Sequence, residues 1–147
     1  MNEPQMIEPK TIEPTPAQMD ELIAAARAAR DRAYAPYSGF AVGAALLDEQ
    51  GRIHSGCNVE NAAYPQSQCA EASAIGNLIV AGSRRITAVV VVGVAPEPLT
   101  PCGGCRQRLR EFATGATPVW SADPDRIRAQ ITLGQLLPES FGPHQLR

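Results

Sequence analysis

"ITAVVVVGVA", residues 86–95, is an almost unbroken apolar, β-branched run with no alternation of polar and apolar positions. A strand with one wet face alternates, whereas a strand covered on both faces reads as a continuous apolar run. The stretch is therefore expected at the centre of a sheet, with helices over each side. The flanking segments supply helices. "CAEASAIGNLIVAGSRR", residues 69–85, sets Ala70, Ala74, Ile75, Leu78 and Ile79 at helical spacing, starts at or near Cys69, and offers Gly82 as its C-cap. "CGGCRQRLREF", residues 102–112, gives a further helix with Leu109 and Phe112 on its apolar edge. Arg106 and Arg110 share another face, which reads as solvated surface.

Working outward, Thr15-Pro16-Ala17-Gln18 combines an N-cap, a proline at the first helical position and the glutamine of a capping box. A first helix follows, with Met19, Leu22, Ile23, Ala26 and Ala29 or Ala33 as a narrow, alanine-rich stripe suited to close packing on a sheet. "FAVGAALLDEQGRIHSGCNVEN", residues 40–61, reads as two strands joined by a turn ending at Gly51. "TPVWSA" and "RIRAQIT" read as short later strands and "LGQLL" as a final helical turn. This order predicts an α/β fold, a three-layer α-β-α sandwich around a mixed sheet of about five strands.

The 147 residues suffice for one domain. Residues 1–14 carry three Glu-Pro pairs and little apolar periodicity, so they read as a flexible tail, with a single domain over 15–147. No basic stretch leads into a long apolar run, and nothing approaches the ~20 apolar residues of a membrane span. A cytoplasmic protein is expected. Net charge is -2, and twelve of the thirteen basic residues are scattered arginines, a poor footprint for a nucleic-acid polymer. A small molecule is the better partner. Four cysteines in such a chain should stay reduced, favouring metal binding or catalysis over disulfides.

Cys69 and the Cys102/Cys105 pair each stand at a helix start. If the two N-termini lie side by side, three thiolates can hold zinc at ~2.3 Å and leave one tetrahedral position to water, and the helix termini favour thiolates. Glu71, two residues past Cys69, then reaches the space beside that position and can move a proton between water and a substrate nitrogen. Two other readings stand beside this one. Cys102-Gly103-Gly104-Cys105 has the spacing of a thiol-disulfide redox pair, and Cys57 is the candidate fourth ligand of a structural four-cysteine site, although it reads better as a small buried strand residue.

"CAE" at 69–71 with "PCGGC" at 101–105 resembles the zinc-dependent deaminases, whose Cys/His-x-Glu and Pro-Cys-x-x-Cys signature is an established one. With three cysteines and no histidine, the chain resembles the small homotetrameric cytidine deaminases from about Tyr34 to Phe141, through "YAPYSGFAVGAALL", "GCNVENAAY", "CAE", "PCGGCRQ" and "LLPESFGP". The resemblance implies one zinc ion held by Cys69, Cys102 and Cys105, with Glu71 as proton shuttle. Asn58 and Glu60 would hold the ribose hydroxyls, Phe40 would stack on the pyrimidine, and the Ala70 amide would meet the ring carbonyl. It also implies that Phe141 reaches a neighbouring subunit's pocket, while Tyr64, like Tyr34 and Tyr37, reads as interface or pocket wall ahead of core and is the second candidate for a cross-subunit pocket. The implied reaction is hydrolytic deamination of cytidine and deoxycytidine in pyrimidine salvage. Another aminated heterocycle is the alternative substrate; a polynucleotide suits the acidic balance poorly. One position departs from the pattern: the arginine common after Cys-x-Glu is Ala72 here, which removes a cation from an anionic site and should make the bound water harder to deprotonate.

Overall fold

The computed structural model describes residues 13–146, so all but the last two residues of the expected tail fall outside the described residues. Helix α1 (Pro16–Arg30) starts as the sequence indicates, Gln18 N–H donating to Thr15 Oγ1 at 3.1 Å and Thr15 N–H to Gln18 Oε1 at 3.0 Å. Strands β1 (Gly43–Asp48) and β2 (Ile53–Cys57) pair antiparallel as the expected hairpin. Then come α2 (Ala70–Val80), β3 (Ile86–Val92), α3 (Gly103–Phe112), β4 (Pro118–Ala122), β5 (Ile127–Thr132) and the short α4 (Leu133–Leu136). Gly82 does not cap α2 itself. The cap is Ala81, and Gly82 follows it at φ +94°, where the chain turns left-handed and glycine costs least.

The sheet runs β2-β1-β3-β4-β5. Only β3 and β4 are parallel, so the sheet is mixed. As the apolar run required, β3 is central and buried on both faces. Ala88, Val90 and Val92 join Leu22, Ala26, Ala45, Leu47 and Trp120 under α1. Val89 and Val91 join Ala44, Leu46, Ala74, Leu78 and Leu109 under α2 and α3. The period-2 alternation of side chains thus sorts one strand into two cores, and each fully buried leucine contributes ~2 kcal/mol.

Two glycines allow this close packing. A Cβ on Gly43 would lie 1.9 Å from Ala26 O and 2.6 Å from Arg30 N, and one on Gly56 would lie 2.4 Å from Ala74 N. The obstructing atoms are helix backbone and cannot rotate away. Gly43→Ala should therefore push α1 off the sheet and cost about 3 kcal/mol, read as a lower urea midpoint with unchanged slope. A midpoint equal to that of the native chain would show that the helix yields freely.

Asp48 closes the hairpin. Its carboxylate accepts from Gln50 N–H at 2.8 Å, Arg52 N–H at 2.9 Å and Arg52 Nε at 3.1 Å, and it meets His54 Nε2 at 2.8 Å and the Ser83 hydroxyl. It is fully buried.

Candidate active site

Cys69 and Cys102 are the N-cap residues of α2 and α3, with extended backbones (ψ 156° and 164°) and no side-chain cap bond. Their sulfurs are thus left to face the space between the two helix starts. Cys105, one turn into α3, is fully buried. The three Sγ atoms lie within 4.8 Å of one another, and those of Cys69 and Cys102 are 3.8 Å apart. Sulfurs bound tetrahedrally at ~2.3 Å sit ~3.8 Å apart, so the spacing suits zinc.

The donor chemistry suits it as well. Burial, with the neighbouring thiols and Glu71 adding like charge, pushes the Cys69 and Cys105 thiols up. Burial works against Cys102 too, but the Cys105 N–H and the adjacent thiols donate to it and bring it below the ordinary thiol value. A dication among the three removes the cost of ionising them together. Among the described residues no fourth His, Cys, Asp or Glu joins the group. Cys57 stands apart, its thiol 3.7 Å from Arg32 O, and it is half-buried rather than buried as its strand position suggested. The structural four-cysteine site is thereby excluded.

Beside the sulfurs lies a cavity of about 200 Å³ lined by Phe40, Val42, Asn58, Cys69, Ala70, Glu71, Val91, Leu99, Thr100 and Cys102. Glu71, in the first turn of α2, is only 4% exposed. Burial raises its carboxyl pKa, against the opposing pull of the Cys105 thiol, its own backbone and the charge of Arg108. A carboxylate whose charged form is disfavoured by burial is the stronger proton acceptor, which suits it to receiving and returning a proton.

Asn58 reaches the cavity, while its amide also ties the wall together: Oδ1 accepts from Val42 N–H at 2.8 Å and Nδ2 donates to Phe40 O at 2.7 Å. Glu60 turns onto the same segment, accepting from Tyr37 N–H at 2.9 Å and Ser38 N–H at 3.1 Å. The Ser38 hydroxyl and these amides hold its carboxyl below the usual range. Sequence reading did not place Val42, Val91, Leu99 and Thr100 at the site. The signal for the last two was the proline-punctuated "PEPLTP" immediately before Cys102.

The cytidine and deoxycytidylate deaminase zinc-binding region matches residues 16–120. The chain belongs to this deaminase family. It is similar to the cytidine deaminase of Sporosarcina psychrophila, 42% identical over 128 residues, covering 87% of this chain and 94% of that protein. It is also similar to that of Mycobacterium tuberculosis (strain H37Rv), 44% identical over 110 residues, covering 75% and 79%. In structure it matches the cytidine deaminase of Burkholderia pseudomallei with a TM-score of 0.77 at 43% identity, covering 83% of this chain and 98% of that one. The M. tuberculosis enzyme matches with a TM-score of 0.70 at 42% identity, covering 84% and 97%.

Within this deaminase fold, Ala72 lines a second, open cleft with Cys69, Gly76, Arg108 and Glu111. Arg108 folds back along α3, its Nη1 only 3.4 Å from where a Gly104 Cβ would stand. The nearby cation is thus carried by α3 rather than α2. Arg106 and Arg110 are not the solvated face that spacing suggested. Both are half-buried, Arg106 bonded to Pro101 O, Leu136 O and Thr100 Oγ1, and Arg110 to Ser140 Oγ at 2.8 Å and His144 Nδ1 at 3.3 Å. Tyr34, Tyr37, Tyr64 and Phe141 are all more than half exposed, and none lines the cavity.

Proposed function

We propose that the chain deaminates cytidine and deoxycytidine hydrolytically, giving uridine or deoxyuridine and ammonia, with Cys69, Cys102 and Cys105 holding one zinc ion. The observation that carries this reading is Glu71: a buried carboxyl in the cavity wall, two residues from one sulfur of the cluster. Bound zinc would supply Lewis acidity and acidify a water molecule. Glu71 takes the proton from the attacking water and passes it to N3 of the pyrimidine. It then takes the second proton, from the hydroxyl now on C4, and delivers it to the amine as the C4–N bond breaks and the C4 carbonyl forms, so that one carboxyl serves both transfers and ends as it began. Phe40 offers a ring to the base, Val42, Val91 and Leu99 exclude water, Asn58 meets the sugar, and Glu60 fixes the Tyr37–Ser38 turn and reaches the ribose. The Ala70 amide, at the start of α2, meets the ring carbonyl. No arginine or lysine among the described residues lines the cavity, which favours a free nucleoside over a nucleotide.

The assembly we propose is a homotetramer in which Tyr64 and Phe141 complete a neighbour's cavity. Their exposure, 69% and 53%, and their absence from the chain's own cavity support this. No helix among the described residues is long and apolar enough to cross a membrane. With four free thiols, the cytoplasm is the compartment we assign. The test is a single preparation offered cytidine, deoxycytidine, cytosine and cytidine monophosphate, with ammonia, bound zinc and mass in solution measured together. Ammonia from both nucleosides, one zinc per chain and a tetrameric mass are expected. Release from cytosine alone would replace the substrate, and a zinc-replete protein inert toward all four would overturn the reading.

A further inference from the structure

The connection from β3 to α3, residues 93–101 ("GVAPEPLTP"), carries the cavity residues Leu99 and Thr100 and delivers Cys102. It is poor in backbone bonding. After Gly93 N–H, which donates to Ala122 O at 3.1 Å, no backbone pair among the described residues involves it until Cys102 O accepts from Arg106 N–H. Pro96, Pro98 and Pro101 have no N–H to offer.

Two guanidinium groups replace the missing ladder. Arg128 donates from Nη1 to Ala95 O at 2.7 Å and from Nη2 to Pro96 O at 3.0 Å. Arg106 holds the other end, from Nε to Pro101 O at 2.7 Å and from Nη2 to Thr100 Oγ1 at 3.0 Å. Its Nη1 donates to Leu136 O at 2.8 Å, at the end of α4. From there the chain runs to Phe141, whose carbonyl accepts from Gln107 Nε2 at 2.9 Å. One side chain thus joins a cavity wall residue, the residue before Cys102 and the segment leading to Phe141.

We propose that Arg106 is a positioning residue that fixes the Thr100–Cys102 edge of the cavity and registers the C-terminal segment against it. The planar guanidinium is required because three donors must point at three fixed acceptors at once. A lysine ammonium can satisfy the charge but not that fork. Pro101 is fully buried, so its carbonyl has no solvent to turn to if the fork is lost. Groups that orient a metal ligand without touching the metal commonly govern metal retention by about 10- to 100-fold. This inference rests on the assignment of Cys102 as a zinc ligand.

The experiment compares zinc-loaded native protein with Arg106→Lys and Thr100→Val, following zinc transfer to a chromogenic chelator, kcat and KM for cytidine, and Tm. Arg106→Lys should release zinc about tenfold faster and lose about tenfold in kcat/KM, beyond what its folded fraction at the assay temperature explains. Thr100→Val, which removes one acceptor and leaves the arginine, should speed release about threefold. Native rates of zinc release and turnover in Arg106→Lys, whatever its Tm, would reduce Arg106 to a fold-stabilising residue and overturn the proposal. Should Arg106→Lys fail to fold, Thr100→Val decides alone, and native zinc release from it overturns the proposal. If the native protein holds zinc but leaves cytidine intact, the deaminase reading fails while the release rates still judge Arg106.

Discussion

Glu71→Gln should lower kcat/KM for cytidine by about three to four orders of magnitude, near the upper end for loss of a general acid-base group. The amide matches the carboxyl in size and sits in the same 4% exposed position, so the cavity and the three sulfurs should keep their arrangement. What disappears is the ability to hold a proton between its removal from water and its delivery to N3 and the leaving amine. Stability should move the other way or not at all. Burial is the largest influence on Glu71 and works against its charged form, so a neutral amide avoids a desolvation cost that the enzyme bears for function. Three measurements decide it together: single-turnover ammonia release, zinc content by mass spectrometry, and Tm. Zinc and Tm at native values or above with turnover nearly abolished is the expected pattern. Turnover within tenfold of native would remove Glu71 from the chemistry, and equal loss of zinc and turnover would recast it as a support for the metal.

Much of this architecture is legible in local spacing. The continuous run at 86–95 implied a strand buried on both faces, and β3 does divide its side chains between two cores. Cysteine at two helix starts implied a shared site, and the sulfurs do converge. These features are local: each follows from residues a few positions apart. The roles of the arginines are not. Arg106 reads as surface on a helical wheel because its acceptor at Leu136 lies thirty positions away in sequence. The same holds for the partnership of Asp48 with Ser83, thirty-five positions apart. Helical spacing says which residues share a face, and it is silent about which carbonyl of a distant loop will lie over that face. Leu99 and Thr100 escaped notice for a related reason, since a loop without its own backbone ladder follows a path set by Arg106 and Arg128 from outside it.

Asp48→Asn should cost about 3 kcal/mol at pH 7, because removing one member of a buried, multiply bonded charge cluster leaves its partners unmatched. The amide keeps one acceptor oxygen where the carboxylate serves Gln50, Arg52, His54 and Ser83, and its NH₂ would face the Arg52 and Ser83 donors. The pH dependence follows from the same contacts. Burial alone would raise the Asp48 carboxyl, but the bonds from His54, Ser83 and the Arg52 and Gln50 amides outweigh it and hold the group well below the ordinary carboxylate range. A carboxyl whose pKa is lower folded than unfolded stabilises fully above its unfolded value of ~3.9, and that contribution drains away as pH falls from there toward the folded value. The gap between native and Asp48→Asn unfolding free energies should therefore narrow below about pH 4. Taking the difference between two zinc-loaded proteins in urea cancels whatever acid does to the thiols. Asp48 meets the chain just beyond the C-terminal end of α2, while Cys69 caps its N-terminus, so the folded variant should deaminate at the native rate. A gap below 1 kcal/mol at pH 7, or one that does not narrow in acid, would mean that solvent rather than Asp48 satisfies Arg52 and Ser83.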